Sequence, residues 1–444
     1  MWSIGNEVLE QWSDAKADTL SLEEANLILN FGHSSEMLAK EGEESVNSLL
    51  TKKLVSFVKG LDPARPITAG CNEPNSGNHL FRSGVLDVIG YNYHNKDIPN
   101  VPANFPDKPF IITESNSALM TRGYYRMPSD RMFIWPERWD KSFADSTFAC
   151  SSYENCHVPW GNTHEESLKL VRDNDFISGQ YVWTGFDYLG EPTPYYTNWP
   201  SHSSLFGIID LAGIPKDRYY LYRSHWNKSA KTLHILPHWT WPGREGEVTP
   251  VFVYTNYPSA ELFINGKSQG KRTKDLSIGI DSSYTEAAQK SFERQKRYRL
   301  MWMDTKYEPG TLKVVAYDKE GNAVAEEEVH TAGKPHHIEL SADRNQLTAD
   351  GKDLSFINVR VVDKNGNLCP DDTRQIQFKV RGAGAYRAAA NGNSASLELF
   401  HLPEMKLFSG QLTAIVQTAE EPGTIYFEAS APGVKGATLE LISK

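Results

Sequence analysis

The sequence is poor in cysteine. Four occur in 444 residues, Cys71, Cys150, Cys156 and Cys369, and their spacing matches no zinc-ligand pattern. Free thiols are the simpler reading, with a small-loop Cys150–Cys156 disulfide as the alternative. No apolar run reaches the 18 or so residues that a membrane-spanning helix needs. No charged segment followed by an apolar one opens the chain, so no secretory signal is legible. Basic charge is scarce as well. Lys and Arg number 46 against 56 Asp and Glu, a net charge of −10, and this argues against a nucleic-acid partner. The tract "KRYRLMW" (296–302) is basic but short and reads as a solvated strand edge. No metal cluster is visible. "DKNGN" (363–367) lacks the closing glutamate of a calcium loop and reads as a hairpin turn.

Aromatic residues, by contrast, are plentiful, with 11 Trp and 20 Tyr. Such rings fill cores and also form flat platforms for ring-shaped ligands. Composition shifts near residue 228. Before it, near-continuous apolar runs alternate with helical patterns: "MWSIG", "RPITAG" (65–70), "VLDVIGYNYH" (85–94), "KPFIITES" (108–115) and "GQYVWTGFDY" (179–188). Helices are expected at 43–60, with Leu49, Leu50, Leu54, Val55 and Val58 on one face, and at 163–175, with Thr163 as N-cap and Glu165 and Glu166 in the first turn. This alternation predicts a parallel sheet with both faces covered. The chemistry-bearing residues Glu7, Tyr93, Glu114 and Trp183 all stand at the C-terminal ends of such runs, where a TIM (β/α)8 barrel carries its active site. Such a barrel needs eight strands, and residues 1–228 supply about five, with a long insertion (115–178) before the last. The expected fold is therefore α/β plus all-β: the C-terminal portion (about strands 4–8) of a barrel, with the missing strands on the N-terminal side and Met1 an internal methionine.

After 228 the pattern becomes strict alternation punctuated by turns. "NG" (265–266) and "EGN" (320–322) mark hairpins, and "GKPHHIEL" (333–340) resembles a linker. Two immunoglobulin-like β-sandwiches are expected, at 229–332 and 333–444. Region 270–297 has no clear assignment. Trp239 and Trp241 in "HWTWPG" read first as packing residues and second as an exposed sugar-contacting pair.

Glu7 and Glu114 form the central pair. Each ends an apolar strand, preceded by a residue placed to fix it, Asn6 and Thr113. Glycoside hydrolysis needs two carboxylates facing across a cleft, one acting as acid and the other as nucleophile or base. Strand-end glutamates also serve as caps and ion-pair partners, so the residues alone leave both readings open.

"WSIGNE" (2–7) resembles the acid/base motif of glycoside hydrolase family 2, the family of β-galactosidases, β-glucuronidases and β-mannosidases. "IITES" (111–115) is similar to its nucleophile strand, "DVIGYNYH" (87–94) to the strand bearing a tyrosine near the nucleophile, and "GQYVWTGFDYLGEP" (179–192) to the last barrel strand. "SSLFGIIDLAGIPKDRYYLYRSHW" (203–226) resembles the segment that closes the barrel. The likeness implies Glu7 as general acid/base and Glu114 as the nucleophile of a retaining exo-β-glycosidase. It implies Asn6 on the sugar 2-hydroxyl, Tyr93 (or Tyr91, which strand alternation puts on the same side with Asn92 opposite) beside the nucleophile, and Trp183 under the sugar ring. His94 is a further candidate contact.

β-Glucuronidases of the family carry an Asn-x-Lys where this chain has Ser204, Leu205 and Phe206. An apolar Phe cannot pair with a uronate, which favours a neutral sugar, galactose above all, over a β-glucuronide or β-mannoside. No cofactor is implied, and the partner is a glycoside substrate. The resemblance suggests a periplasmic or secreted bacterial enzyme. With part of the barrel absent, this chain alone is expected to hydrolyse little, and an inactive carbohydrate-contacting module is the alternative function.

Overall fold

A computed structural model describes residues 1–8, 10, 20, 21, 24, 38–40, 42, 44–276 and 297–444. They form two compact units.

The first unit takes in Met1–Ser117 and Pro159–Trp183. Its five strands, β1 (Trp2–Asn6), β2 (Ile67–Gly70), β3 (Ile89–Asn92), β4 (Phe110–Asn116) and β5 (Ile177–Trp183), lie parallel in chain order. A single parallel bridge, Cys71 to Tyr91, joins the β1–β2 pair to the β3–β4–β5 sheet. The inner strands are apolar because both faces are covered: Ile67, Ala69, Ile89, Tyr91, Phe110 and Ile112 share one buried cluster with Val55, Leu80 and Phe81. β1 is the exception. Among the described residues it pairs only with β2, and Trp2 is 46 % exposed, so the opening strand is an edge rather than a buried strand.

Helix α1 (Val46–Leu61) starts at Ser45, whose hydroxyl accepts from the Ser48 amide. Its inward stripe is Ser48, Thr51 and Val55, with the Ser48 hydroxyl donating to the His79 carbonyl. Leu54 is 37 % exposed, Leu49 and Leu50 are half exposed, and Phe57 and Leu61 are more so. The apolar face expected to point inward is thus mostly the outer one. Helix α2 (His164–Asp173) begins with a capping box. The Thr163 hydroxyl accepts from the Glu166 amide, and the Glu166 carboxylate accepts from the Thr163 amide.

The second unit gathers residues 118–158, 184–276 and 297–444. Neither the expected insertion 115–178 nor a boundary at 228 coincides with the division into units. Helix α3 (Asp217–Trp226) precedes a three-stranded antiparallel sheet of β6 (Leu233–Leu236), β7 (Val251–Thr255) and β10 (Arg299–Trp302). A four-stranded sheet of β8 (Ser259–Ile264), β9 (Lys267–Thr273), β11 (Thr311–Tyr317) and β12 (Ala323–His330) closes over the same core, with Val253, Leu300 and Trp302 from one sheet and Leu262, Val314 and Ala316 from the other. Asn265 and Gly266, both at positive φ, make the two-residue turn between β8 and β9.

A second sandwich follows. β13 (His337–Ala342), β15 (Leu354–Val362), β17 (Gly384–Ala390) and β19 (Gln411–Thr418) face β14 (Gln346–Leu347), β16 (Gln375–Gly382), β18 (Glu404–Lys406), β20 (Gly423–Ser430) and β21 (Ala437–Ser443). The stretch resembling a linker ends inside β13. "KRYRLMW" is not a solvated edge: Arg299 is fully buried, its guanidinium donates to the carbonyls of Tyr153 and Glu154, and it lies 5.0 Å from the Phe252 ring centre. A charge is tolerable there because backbone oxygens and a ring face replace its water. Trp239 is buried in the first sandwich core, while Trp241 is half-buried and stacks on His238. The four cysteines are free and buried. The unassigned 270–297 lies largely outside the described residues.

Candidate active site

The parallel sheet of the first unit ends on one side in a row of polar side chains. Register sets Asn6 beside Gly70, Asn92 beside Glu114, and Asn116 beside Trp183. Parallel strands present their C-terminal ends together, so Glu7, Asn72, Asn92, Tyr93, Glu114 and Trp183 emerge from one sheet end.

Asn92 and Tyr93 are adjacent in sequence, and each holds one carboxylate. The Asn92 amide donates to Glu7 Oε1 at 3.0 Å and to Asn6 Oδ1 at 2.9 Å. Its own oxygen accepts from the Thr113 hydroxyl at 2.6 Å, which fixes which end of the amide faces Glu7. The Tyr93 hydroxyl donates to Glu114 Oε2 at 2.8 Å and accepts from Ser117 Oγ at 3.0 Å. Burial, reinforced by the neighbouring Glu114 carboxylate, pushes the Tyr93 phenol well above its ordinary range, so it remains a donor.

This arrangement corrects the reading by strand alternation. Tyr91 is fully buried, its ring packs edge-on against Phe110, and its hydroxyl donates to the Pro74 carbonyl. It belongs to the core, and Asn92 takes the site-facing position. Alternation fails one residue later, because Tyr93 sits at φ 57° and the chain leaves the strand through a left-handed turn. Glu7, His94, Asn116 and Ser117 also have positive φ. Such values in non-glycine residues are strained and cluster at functional sites.

Thr113 was expected to fix Glu114. It fixes Asn92 instead. His94 meets Asn72 Oδ1 at 3.1 Å and Asp97 at 3.5 Å. Trp183 is half-buried at the end of β5, and Asn6 is exposed.

One carboxylate carried no recognisable sequence signal. Glu10 is fully buried and accepts from the amides of Asn72 and Glu73. Burial, with help from the charge of Glu7, raises it to about 8 against the two amide bonds. It is therefore mostly protonated at neutral pH and adds little charge beside Glu7. Gly70 is required by space. A Cβ there would stand 2.6 Å from Asn6 Oδ1 and 2.9 Å from Asn92 Oδ1.

In the second unit, Phe206 is fully buried. Close to it in sequence, Lys216 pairs with Asp187 at 2.6 Å and donates to the carbonyls of Met120 and Leu205. Burial pulls Lys216 down and pushes Asp187 up, and their pairing opposes both shifts.

Residues 338–440 match the family model described as glycoside hydrolase family 2 C-terminal domain 5, and residues 246–325 match a domain of unknown function. The chain is 66 % identical over 442 residues to the β-galactosidase BoGH2A of Bacteroides ovatus, covering 99 % of this chain and 49 % of that protein. It is 27 % identical to a putative β-glucuronidase of Formosa agariphila, over 94 % of this chain and 39 % of that one. Among solved structures, a β-glycosidase from Bacteroides vulgatus superposes with a TM-score of 0.75 at 27 % identity, covering all of this chain and 50 % of that one. A family 2 glycosyl hydrolase from Bacteroides cellulosilyticus gives 0.70 at 25 % identity, covering 91 % and 48 %. The chain spans about half the length, or somewhat less, of these relatives. By these likenesses it belongs to glycoside hydrolase family 2.

Proposed function

We propose that the chain carries the carboxylate pair of a retaining exo-β-glycosidase, acting on a terminal β-linked galactose. The observation that supports this most is the Asn92–Tyr93 pair at the end of β3, which gives Glu7 after β1 and Glu114 on β4 separate polar partners. In this reading Glu114 attacks the anomeric carbon as nucleophile while Glu7 protonates the leaving oxygen. Glu7 then deprotonates the water that releases the sugar. Tyr93 orients Glu114 and stabilises the carboxylate when it departs. Asn6, with its oxygen held by Asn92, presents its remaining amide donor to the sugar 2-hydroxyl. Trp183 lies under the ring. Phe206 in place of a uronate-binding lysine, together with the similarity to a protein named a β-galactosidase, favours the neutral sugar. The five parallel strands are read as the latter part of a barrel and the two sandwiches as immunoglobulin-like accessory domains.

The test is trapping. A 2-deoxy-2-fluoro-β-galactosyl fluoride should leave a covalent adduct on the peptide bearing Glu114. The adduct should disappear in Glu114→Gln and form more slowly in Tyr93→Phe, by roughly tenfold or more. An adduct on any other residue would refute the assignment. The outward apolar face of α1 and the exposed edge at β1 favour a second reading, in which the chain alone turns over slowly. Absence of both adduct and nitrophenyl β-galactoside turnover would support that reading.

A further inference from the structure

The geometry points to a second saccharide-binding site, a cleft in the second unit for a neutral β-linked oligosaccharide. None of the residues around Glu7 and Glu114 lines it, and it stands independently of their role. The cavity measures about 920 Å³, within the range of ligand pockets.

One wall is the outer face of β13, β15 and β19. Alternation sends Ile357, Val359 and Val361 into the sandwich core and Phe356, Asn358 and Arg360 outward. Register then sets Ser341 opposite Asn358, Asn358 opposite Thr413, and Arg360 opposite Gln411. Polar side chains therefore stand in two rows across three strands, about 4.8 Å from strand to strand. Among the described residues, Ser341, Arg360, Gln411 and Thr413 have no side-chain hydrogen bond, and Arg360 Nε is buried with no partner. Leaving buried donors unfilled costs free energy that a ligand's oxygens would recover.

The facing wall is aromatic and held in place. Tyr220 lies flat on His234 with ring centres 3.6 Å apart, and Asp217 accepts from His234 and from the Tyr125 hydroxyl, both at 2.7 Å. A ring face on one side and uncommitted amide, hydroxyl and guanidinium groups on the other suit a sugar, whose C–H face is apolar and whose rim is hydroxylated. Charge selects a neutral ligand. Arg122 is committed to Asp210, and Asp217, Glu328 and Asp343 share the lining with Arg360, so a polyanion would meet carboxylates.

Calorimetric titration of the whole chain with neutral β-linked gluco-, xylo- and galacto-oligosaccharides of four to six units tests the site, with a uronate oligosaccharide as comparator. At least one neutral ligand is expected to bind with a Kd below about 1 mM. With every titration made in the Glu114→Gln background, so that no β-galactoside is turned over, the Arg360→Ala/Gln411→Ala substitutions should weaken it about tenfold or more. Thr413→Val, which keeps shape and removes one hydroxyl, should weaken it about threefold or more at unaltered melting temperature. It keeps the test decisive if the double variant fails to fold. Absence of binding by every neutral ligand, binding only of the uronate, or affinity unaltered by the cleft substitutions would overturn the proposal.

Discussion

Glu10 offers a way to read the candidate site's electrostatics through stability alone. Its carboxyl is raised from 4.5 to about 8, first by burial and with help from the charge of Glu7, against the amides of Asn72 and Glu73 and the Cys71 thiol. The folded state therefore holds a proton that the unfolded chain releases between these two values. A raised folded value contributes stability that is fully present below about pH 4.5 and is lost as pH rises through about 8. The difference corresponds to roughly 5 kcal/mol, lost at no more than about 1.4 kcal/mol per pH unit. Glu10→Gln keeps the shape. Its carbonyl can accept from the amides of Asn72 and Glu73, and nothing is left to ionise. Hydrogen exchange by mass spectrometry on peptides covering β2 and β3 gives the opening free energy of the first unit. After correction for intrinsic exchange, that free energy should fall by several kcal/mol between pH 5 and 9 in the parent chain and stay nearly flat in Glu10→Gln. A flat parent profile, or an equal slope in the variant, would refute the reasoning.

Two further substitutions probe neighbouring features. Gly70→Ala places a methyl group against the Asn6 and Asn92 oxygens, so the Asn92–Glu7 bond should be disrupted; a loss of about 1–3 kcal/mol in first-unit opening energy is expected, again read by hydrogen exchange. Lys216→Met strands the buried Asp187 carboxylate, and the second unit should lose about 3–5 kcal/mol, seen as a lowered urea midpoint; a shift under about 1 kcal/mol would show that water reaches the pair.

Much of this was legible in the sequence because local and global preferences agree there. The strands at 67–70 and 89–92 are buried along their whole length, 110–116 opens on an apolar run, and Thr163 with Glu166 spells a capping box. The asparagine–glycine pair at 265–266 can hardly be anything but a tight turn. The misreadings share a physical cause: each residue was judged by its own type, without the partner that redefines it. The leucines of α1 looked like a core stripe, yet Ser48 and Thr51 face inward, with hydroxyls spent on carbonyls. Arg299 looked solvated because backbone oxygens distant in sequence cannot be read beside it. Tyr91 and Tyr93 looked equivalent because period-two alternation assumes a continuing strand, and a left-handed turn at Tyr93 ends it. Asn92 was passed over for the same reason. Glu10 became informative only once its burial was known.

The left-handed residues at the strand ends have a consequence for any attempt to make the protein sturdier. Positive φ at Glu7, Tyr93, His94, Asn116 and Ser117 disfavours the folded state by about 1 kcal/mol or more at each position, and glycine would relieve that strain. A selection for thermal resistance would therefore find its gains at Glu7 and His94, which are half-buried, rather than at the buried Tyr93, Asn116 and Ser117, where glycine would leave a cavity. The gain at Glu7 would delete one of the two carboxylates themselves, and the gain at His94 a side chain that meets Asn72 and Asp97. Resistance to heat and competence at the sheet end draw on the same few backbone angles, and improving one there works against the other.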